Sequence, residues 1–250
     1  MTFPVLIGVS LKMYFGYAQT LQWCERVAAV AEQHPAVRSG AAELFVLPTA
    51  AALAPVLDIF AEGPVAVGAQ DVFWEPTGAY TGELGAPFVA EMGCRYAEIG
   101  HAERRRIFGE TLQVIAAKTG GAVAAGLTPV ICVGEIERLE PKVAADQCLA
   151  ELTEILAGVA DKPDIVVAYE PVWAIGAAEP AGPDHISAVC QSISAGLGAS
   201  GAGPGSRVIY GGSAQPGLLT KLSGTVDGLF LGRFAHDPDA LVQILDEVSA

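Results

Sequence analysis

Basic residues are scarce: 14 Lys plus Arg stand against 28 Asp plus Glu, giving a formal net charge of −14. A protein that grips phosphate backbones needs the opposite balance, so nucleic acid and anionic membranes are excluded as partners. The same field would repel a small anion at long range. Any phosphate site must therefore rest on local donors, meaning backbone amides and one or two cations. Charge of either sign is also sparse, at 17% against 52% hydrophobic residues, which excludes a disordered chain. Yet no apolar run approaches the ~18 residues of a membrane span, and no basic segment precedes an apolar stretch at Met1. Cysteine spacing shows no pairing. Cys24, Cys94, Cys132, Cys148 and Cys190 are odd in number and scattered, so reduced thiols in a cytoplasm are expected. No His/Cys/Asp cluster has metal-ligand spacing, and nothing asks for a cofactor.

What is present is alternation. Short β-branched or apolar runs read as strands at Val5–Val9, Leu44–Leu47, Val65–Ala69, Tyr96–Ile99, Val130–Val133, Ile165–Ala168, Val208–Tyr210 and Leu229–Leu231. Ala-rich stretches with helical spacing lie between them, among them Thr20–Gln33, Leu112–Ala125, Ala144–Ala160 and Asp184–Gly196; Pro238–Val248 is the last helix. Strands alternating with helices predict a parallel sheet covered by helices. Eight such units in 250 residues, with no charge-rich linker, favour a single closed (β/α)8 barrel spanning residues 1–250 over an open doubly wound sheet. The first strand is not followed by Gly-x-Gly-x-x-Gly, which weakens the open dinucleotide-binding alternative.

In such a barrel the chemistry sits where strands end and loops begin. The residues to inspect are Ser10-Leu11-Lys12, Gln70-Asp71, Gly100-His101-Ala102-Glu103, Tyr169-Glu170-Pro171, Gly211-Gly212-Ser213 and Gly232-Arg233. Lys12, His101, Glu170 and several glycine turns converge on one mouth.

Four segments carry a resemblance. Ala168-Tyr169-Glu170-Pro171-Val172-Trp173-Ala174-Ile175-Gly176 resembles the catalytic strand and lid of the triosephosphate isomerase family. Gly100-His101-Ala102-Glu103-Arg104-Arg105 is similar to its histidine motif, Tyr210-Gly211-Gly212-Ser213 to its phosphate loop, and Thr77–Glu83 to its long third loop. The resemblance implies a small phosphorylated sugar as substrate and proton transfer alpha to a carbonyl.

Within that frame the residues take roles. Glu170 is the candidate base: Pro171 and Trp173 can enclose its carboxylate when the loop closes, and enclosure increases basicity. A solvated loop glutamate would be the ordinary fate of such a residue without the motif. His101 precedes an apparent helix start. The positive end of that helix disfavours imidazolium and leaves a neutral ring that still donates one hydrogen bond. His34, His185 and His236 are read as structural. Lys12 offers a cation to an enediolate and a phosphate, where an isolated lysine would merely snorkel at the surface. Gly176, Ser213 and Gly232 offer backbone amides to a phosphate. Glu103 is expected to orient its neighbours, Arg104, Arg105 and Glu110 to form an ion network, and Cys132 to be a small buried hydrophobe.

The departures from the family fall at the site. Ser10 stands where the family usually has Asn, Leu11 where it has Trp, Ala102 where it has Ser, and Arg233 where it has a second Gly. The lid continues Ala177-Ala178-Glu179 instead of Thr-Gly-Lys. Ser10 makes room near the reacting end of a sugar, and Arg233 could pair with a phosphate or with Glu179, or block the usual phosphate pose. This combination resembles the branch that isomerises four-carbon ketose phosphates, L-erythrulose 1-phosphate above all. That substrate is dihydroxyacetone phosphate with an added hydroxymethyl group, so the same Glu, His and Lys would serve. A triosephosphate isomerase with variant rims and a catalytically silent sugar-phosphate-binding barrel are the alternatives. The third loop, Val72–Leu84, exceeds an ordinary connection, and its aromatics are expected to be exposed. The family docks this loop into a neighbouring subunit, which implies a homodimer; a lid over its own barrel is the other reading.

Overall fold

The computed structural model describes residues 3–175 and 181–248. Eight parallel strands close into a barrel in sequence order: β1 (Val5–Ser10), β2 (Ala42–Leu47), β3 (Val65–Ala69), β4 (Tyr96–Ile99), β5 (Thr128–Val133), β6 (Val166–Tyr169), β7 (Arg207–Tyr210) and β8 (Gly228–Leu231). β8 pairs back onto β1, which leaves no sheet edge. The expected closed (β/α)8 architecture is the one the chain adopts.

The outer layer consists of α1 (Tyr17–Gln33), α2 (Pro35–Arg38), α3 (Leu53–Phe60), α4 (Ala86–Glu91), α5 (Ala102–Phe108), α6 (Leu112–Ala124), α7 (Pro141–Leu156), α8 (Pro183–Gly196), α9 (Leu218–Lys221) and α10 (Pro238–Val248). α7 differs from its expected span. Pro141 sits in its first turn, where a missing N–H costs nothing, so the helix starts three residues early. β6 ends at Tyr169, one residue later than expected, and Glu170 still follows it directly.

Two cores divide the strand residues by their alternation. Inward-facing Leu6, Phe45, Leu47, Tyr96, Val130, Cys132, Val166, Ala168, Ile209 and Phe230 fill the barrel. Outward-facing residues, such as Ile7, Val9, Leu44, Ile131 and Leu229, meet the helices. Phe45 stacks on Tyr96 with ring centroids 4.5 Å apart. Gly8 makes this possible, because a Cβ there would land about 2.1 Å from the Phe45 ring. A filled interior forces the chemistry to the rim. Among the described residues no helix is long and apolar enough to cross a membrane.

The third loop keeps the length expected of it but not the exposure. Phe73 and Trp74 are half-buried and stack on each other at 4.0 Å, and Phe73 also meets Tyr80. The Phe73 N–H donates to the Leu84 carbonyl at 2.7 Å, closing the loop base. Only Tyr80 of the three rings is exposed, because the other two gain more by covering each other than by facing water.

Candidate active site

Lys12, His101 and Glu170 meet at the C-terminal mouth of the barrel, each delivered by the end of a different strand. β1 carries Ser10 and, two residues on, Lys12, whose backbone is left-handed at φ 49°. That conformation strains a residue bearing a Cβ and persists only when its surroundings fix it. Gln70, just after β3, supplies the fixing: its amide Nε2 donates to the Lys12 carbonyl at 3.0 Å and to the Leu47 carbonyl at 2.9 Å. The Lys12 ammonium donates to Glu103 Oε1 at 3.2 Å. Burial opposes the Lys12 charge, but the Glu170, Glu103 and Glu98 carboxylates together outweigh it and hold the ammonium above the usual lysine range. The cation is secure.

His101 caps α5. Its Nδ1 accepts the Glu103 backbone N–H at 3.1 Å, so in the neutral ring the proton belongs on Nε2. Nε2 lies 3.4 Å from Glu170 Oε2. Both atoms are buried, and neither makes a hydrogen bond among the described residues. Glu170 hangs from β6 with its N–H donated to the Val133 carbonyl at 2.8 Å, and is nearly buried at 5% exposure. Gly211 lies against it so closely that a Cβ would come within 2.6 Å of Glu170 Cγ. Gly212 is equally constrained, because a Cβ there would meet the Tyr210 hydroxyl. The Gly-Gly pair after β7 is therefore dictated by packing as well as by any ligand.

Two adjoining cavities open at this mouth, of about 420 and 510 Å³, and Ser10, Lys12 and Glu103 line both. The smaller is bounded by Glu170, Ser213, Gly232 and Arg233, with Tyr14 and Phe234 at its rim. The larger is bounded by His101, Glu98 and Gln70. Ser213 donates its hydroxyl to the Ala174 carbonyl at 2.8 Å, which ties the β7 turn to the segment after Glu170. Arg233 opens a single helical turn, Arg233–His236, and is exposed beside that cavity. Among the described residues its guanidinium makes no ion pair. Gly176 and Glu179, expected to serve the phosphate and Arg233, lie outside the described residues.

His236 packs between Tyr14 and Phe15 with ring centroids at 5.1 and 4.6 Å. Burial, then the Arg233 and Lys12 charges, push its ring below the usual histidine range, so it adds no charge beside Arg233. The ion network takes a different membership from the one expected. Arg104 and Lys118 share Asp71 and Glu110, whereas Arg105 separately joins Glu151 and the Gly100 and Cys132 carbonyls. Glu103 does hold its neighbours: Lys12 by its carboxylate and His101 by its amide.

Two buried side chains at the site, Glu98 and Glu135, escape sequence reasoning. Glu98 in β4 is 3% exposed and accepts the Ser10 hydroxyl at 2.8 Å. Burial pushes its carboxyl up to about 7, aided by the Glu170 charge and opposed by His101, Ser10 and Lys12. The available signal was a carboxylate inside an otherwise apolar strand, since an unpaired acid is almost never buried without a purpose. Cys132 is the small buried side chain expected, part of the barrel interior. Burial first, then the facing Glu170 and Glu98 carboxylates, push its thiol well above the usual range. Glu135, fully buried, accepts from Tyr169 Oη at 3.1 Å and from Trp173 Nε1 at 2.8 Å, anchoring the segment after Glu170. Nothing in its loop position distinguished Glu135 from a solvated acid.

The arrangement offers a carboxylate, a ring N–H and a fixed cation around one point, beside a cavity rimmed by glycine turns and an arginine. The family model for triosephosphate isomerase matches residues 5–248. The chain is 55% identical over 245 residues to the L-erythrulose-1-phosphate isomerase of Pectobacterium atrosepticum, covering 96% of this chain and 94% of that protein. It is 38% identical over 254 residues to the L-erythrulose-1-phosphate isomerase of Rhizobium etli, covering 98% and 93%. It is 31% identical over 246 residues to the triosephosphate isomerase of Synechococcus sp. (strain JA-2-3B'a(2-13)), covering 97% and 96%. With its barrel closed and the match running nearly end to end, the chain belongs to the triosephosphate isomerase family and is a sugar-phosphate isomerase.

Proposed function

We propose that the chain moves a carbonyl between adjacent carbons of a small ketose phosphate through a cis-enediolate, and that its favoured substrate is L-erythrulose 1-phosphate, giving D-erythrulose 4-phosphate. The observation that carries the chemistry is the facing pair of Glu170 Oε2 and His101 Nε2, 3.4 Å apart and beside Lys12. Glu170 takes the proton from the hydroxyl-bearing carbon next to the carbonyl. The C–H electron pair becomes the new carbon–carbon double bond, and the carbonyl oxygen takes up negative charge. The His101 N–H and the Lys12 ammonium stabilise that charge where it develops. The proton held by Glu170 then returns to the neighbouring carbon, and the hydroxyl proton passes between the two oxygens. No redox partner enters, so no cofactor is required. Ser213, Gly232, Arg233 and Gly176 receive the phosphate.

Two features support the four-carbon substrate: the room left by Ser10 at the reacting end, and relatives at 55% and 38% identity that carry that name. The deciding experiment is a coupled assay of L-erythrulose 1-phosphate and dihydroxyacetone phosphate side by side. A higher kcat/KM on the tetrulose is expected. Efficient turnover of the triose alone would make the chain a triosephosphate isomerase, and inactivity on both with the fold intact would favour a silent binding barrel. We further propose that it acts as a homodimer joined through Val72–Leu84.

A further inference from the structure

Glu98 is a buried carboxylate of the mouth that the chemistry above does not use. Tyr96 of β4 faces the barrel interior, so Glu98, two residues on, faces the same way and forms the floor of the mouth. Ser10 reaches it from β1. A carboxyl group can take part in about four hydrogen bonds, and a buried one is costly unless they are made. Among the described residues Glu98 makes one, from Ser10 Oγ. The Lys12 ammonium is bound instead to Glu103, and His101 Nδ1 to a backbone amide. A purely structural carboxylate at this depth would have a cation or a full set of donors. Glu98 instead borders the larger cavity together with Ser10 and His101.

The geometry of the reacting carbon says what could complete the set. Of its four substituents, the proton must point to Glu170, the oxygen to His101 and Lys12, and the carbon chain to the phosphate cavity at Ser213, Gly232 and Arg233. In a triose the fourth substituent is hydrogen. In a four-carbon ketose phosphate it is a hydroxymethyl group, and the direction left for it is the floor and the larger cavity, where Ser10 and Glu98 stand.

We propose that Glu98, held by Ser10, is the specificity-determining residue that hydrogen-bonds the hydroxymethyl group of a four-carbon ketose phosphate. This rests on the proposed substrate. It adds that the preference comes from a polar contact and not from room alone, which by itself discriminates one carbon only about 10–200-fold. The perturbed acidity of Glu98 accords with a carboxyl whose partners are incomplete in the free protein.

The test compares kcat/KM on three substrates: L-erythrulose 1-phosphate, its 4-deoxy analogue with methyl in place of hydroxymethyl, and dihydroxyacetone phosphate. The wild type is expected to favour the tetrulose over the 4-deoxy analogue by at least tenfold. Glu98→Leu should collapse that ratio to within about threefold, and Glu98→Gln, which keeps an amide able to bond a hydroxyl, should restore part of it. A wild type that ignores the tetrulose overturns the proposed substrate and this inference with it. A wild type that prefers the tetrulose to the triose but treats it and the 4-deoxy analogue alike overturns this inference alone, with no variant needed. Should both variants fold and lower all three substrates by one common factor, Glu98 is structural and the inference fails.

Discussion

Glu170 Oε2 stands 3.4 Å from His101 Nε2, and among the described residues neither atom hydrogen-bonds to any other group. A buried acceptor facing a buried donor just outside good hydrogen-bond reach leaves both free to turn toward atoms placed between them. Glu170→Asp tests the position of the acceptor. Shortening the side chain withdraws the oxygen by about an ångström, and a misplacement of that size costs on the order of 100-fold in rate. kcat should fall by that factor while KM changes little, because the loss is confined to the transition state. Steady-state kinetics with an unchanged kcat would assign the base to another residue.

Lys12 is held in the left-handed region by Gln70, which bonds the Lys12 and Leu47 carbonyls at once. Gln70→Leu leaves both carbonyls without this donor. We expect a loss of about 1–3 kcal/mol in urea unfolding and a fall in kcat as the ammonium loses its fixed place. Lys12→Met should behave differently, weakening substrate binding and turnover together at little cost in stability. Gln70→Leu with full activity and wild-type stability would show that the strained turn holds itself.

The contrast between Lys12 and Glu98 shows what the sequence made legible. Strand ends could be read because each short apolar run stops at a polar or glycine-rich segment, and a barrel places those ends on one rim. Lys12, His101 and Glu170 therefore emerged from position and motif together. The clamp by Gln70 did not, because a left-handed backbone leaves no mark when the residue is not glycine. Glu98 stayed hidden inside Tyr96–Ile99, since reading a buried strand by hydrophobic run length passes over a single acid. The exposure of the third loop was misread for a related reason. Pattern gives the presence of Phe73 and Trp74 but not that each covers the other.

Glu98 also carries a pH signature. Its folded-state proton is held up to about 7, against an ordinary 4.5, with burial the chief cause. The folded chain thus binds this proton more tightly than the unfolded chain. The resulting stabilisation is fully present below about 4.5 and is lost as pH rises through about 7. Glu98→Gln removes the titration, while the facing Glu170, His101, Lys12 and Cys132 remain in place. The stability of the variant relative to wild type should therefore rise between pH 5 and pH 8, by up to about 3 kcal/mol. Urea unfolding at the two pH values reads the difference, and a gap that does not change with pH would mean that Glu98 titrates as an ordinary acid.

The proposed dimer rests on Val72–Leu84, a closed loop whose rings are stacked inward and whose Tyr80 alone of the three is exposed. Such self-packing makes the loop a preformed plug, so docking it costs little ordering. Sedimentation at micromolar concentration should give a dimer, and Tyr80→Asp should shift it toward monomer with a loss of activity. A wild-type monomer with full activity would remove the loop from the mechanism.

Arg233 and Ser10 border the smaller cavity together but should act on different parts of the substrate. Arg233 is exposed, makes no ion pair among the described residues, and lies beside a histidine kept uncharged by burial and by Arg233 itself. A guanidinium so placed is available to a phosphate dianion. Arg233→Gly should raise KM by about tenfold or more for triose and tetrulose alike, with kcat nearly constant, because both carry the same phosphate and the lost contact is made equally in ground and transition states. Ser10→Asn acts at the other end. It fills the space beside Glu98 and displaces the hydroxyl that holds that carboxyl, so it should lower kcat/KM for the tetrulose by about 10–200-fold relative to the triose. Measured on both substrates, the two variants separate anchoring from selection. If Arg233→Gly changes the preference between substrates, or Ser10→Asn weakens both equally, the division of labour between the two ends of the cavity is wrong.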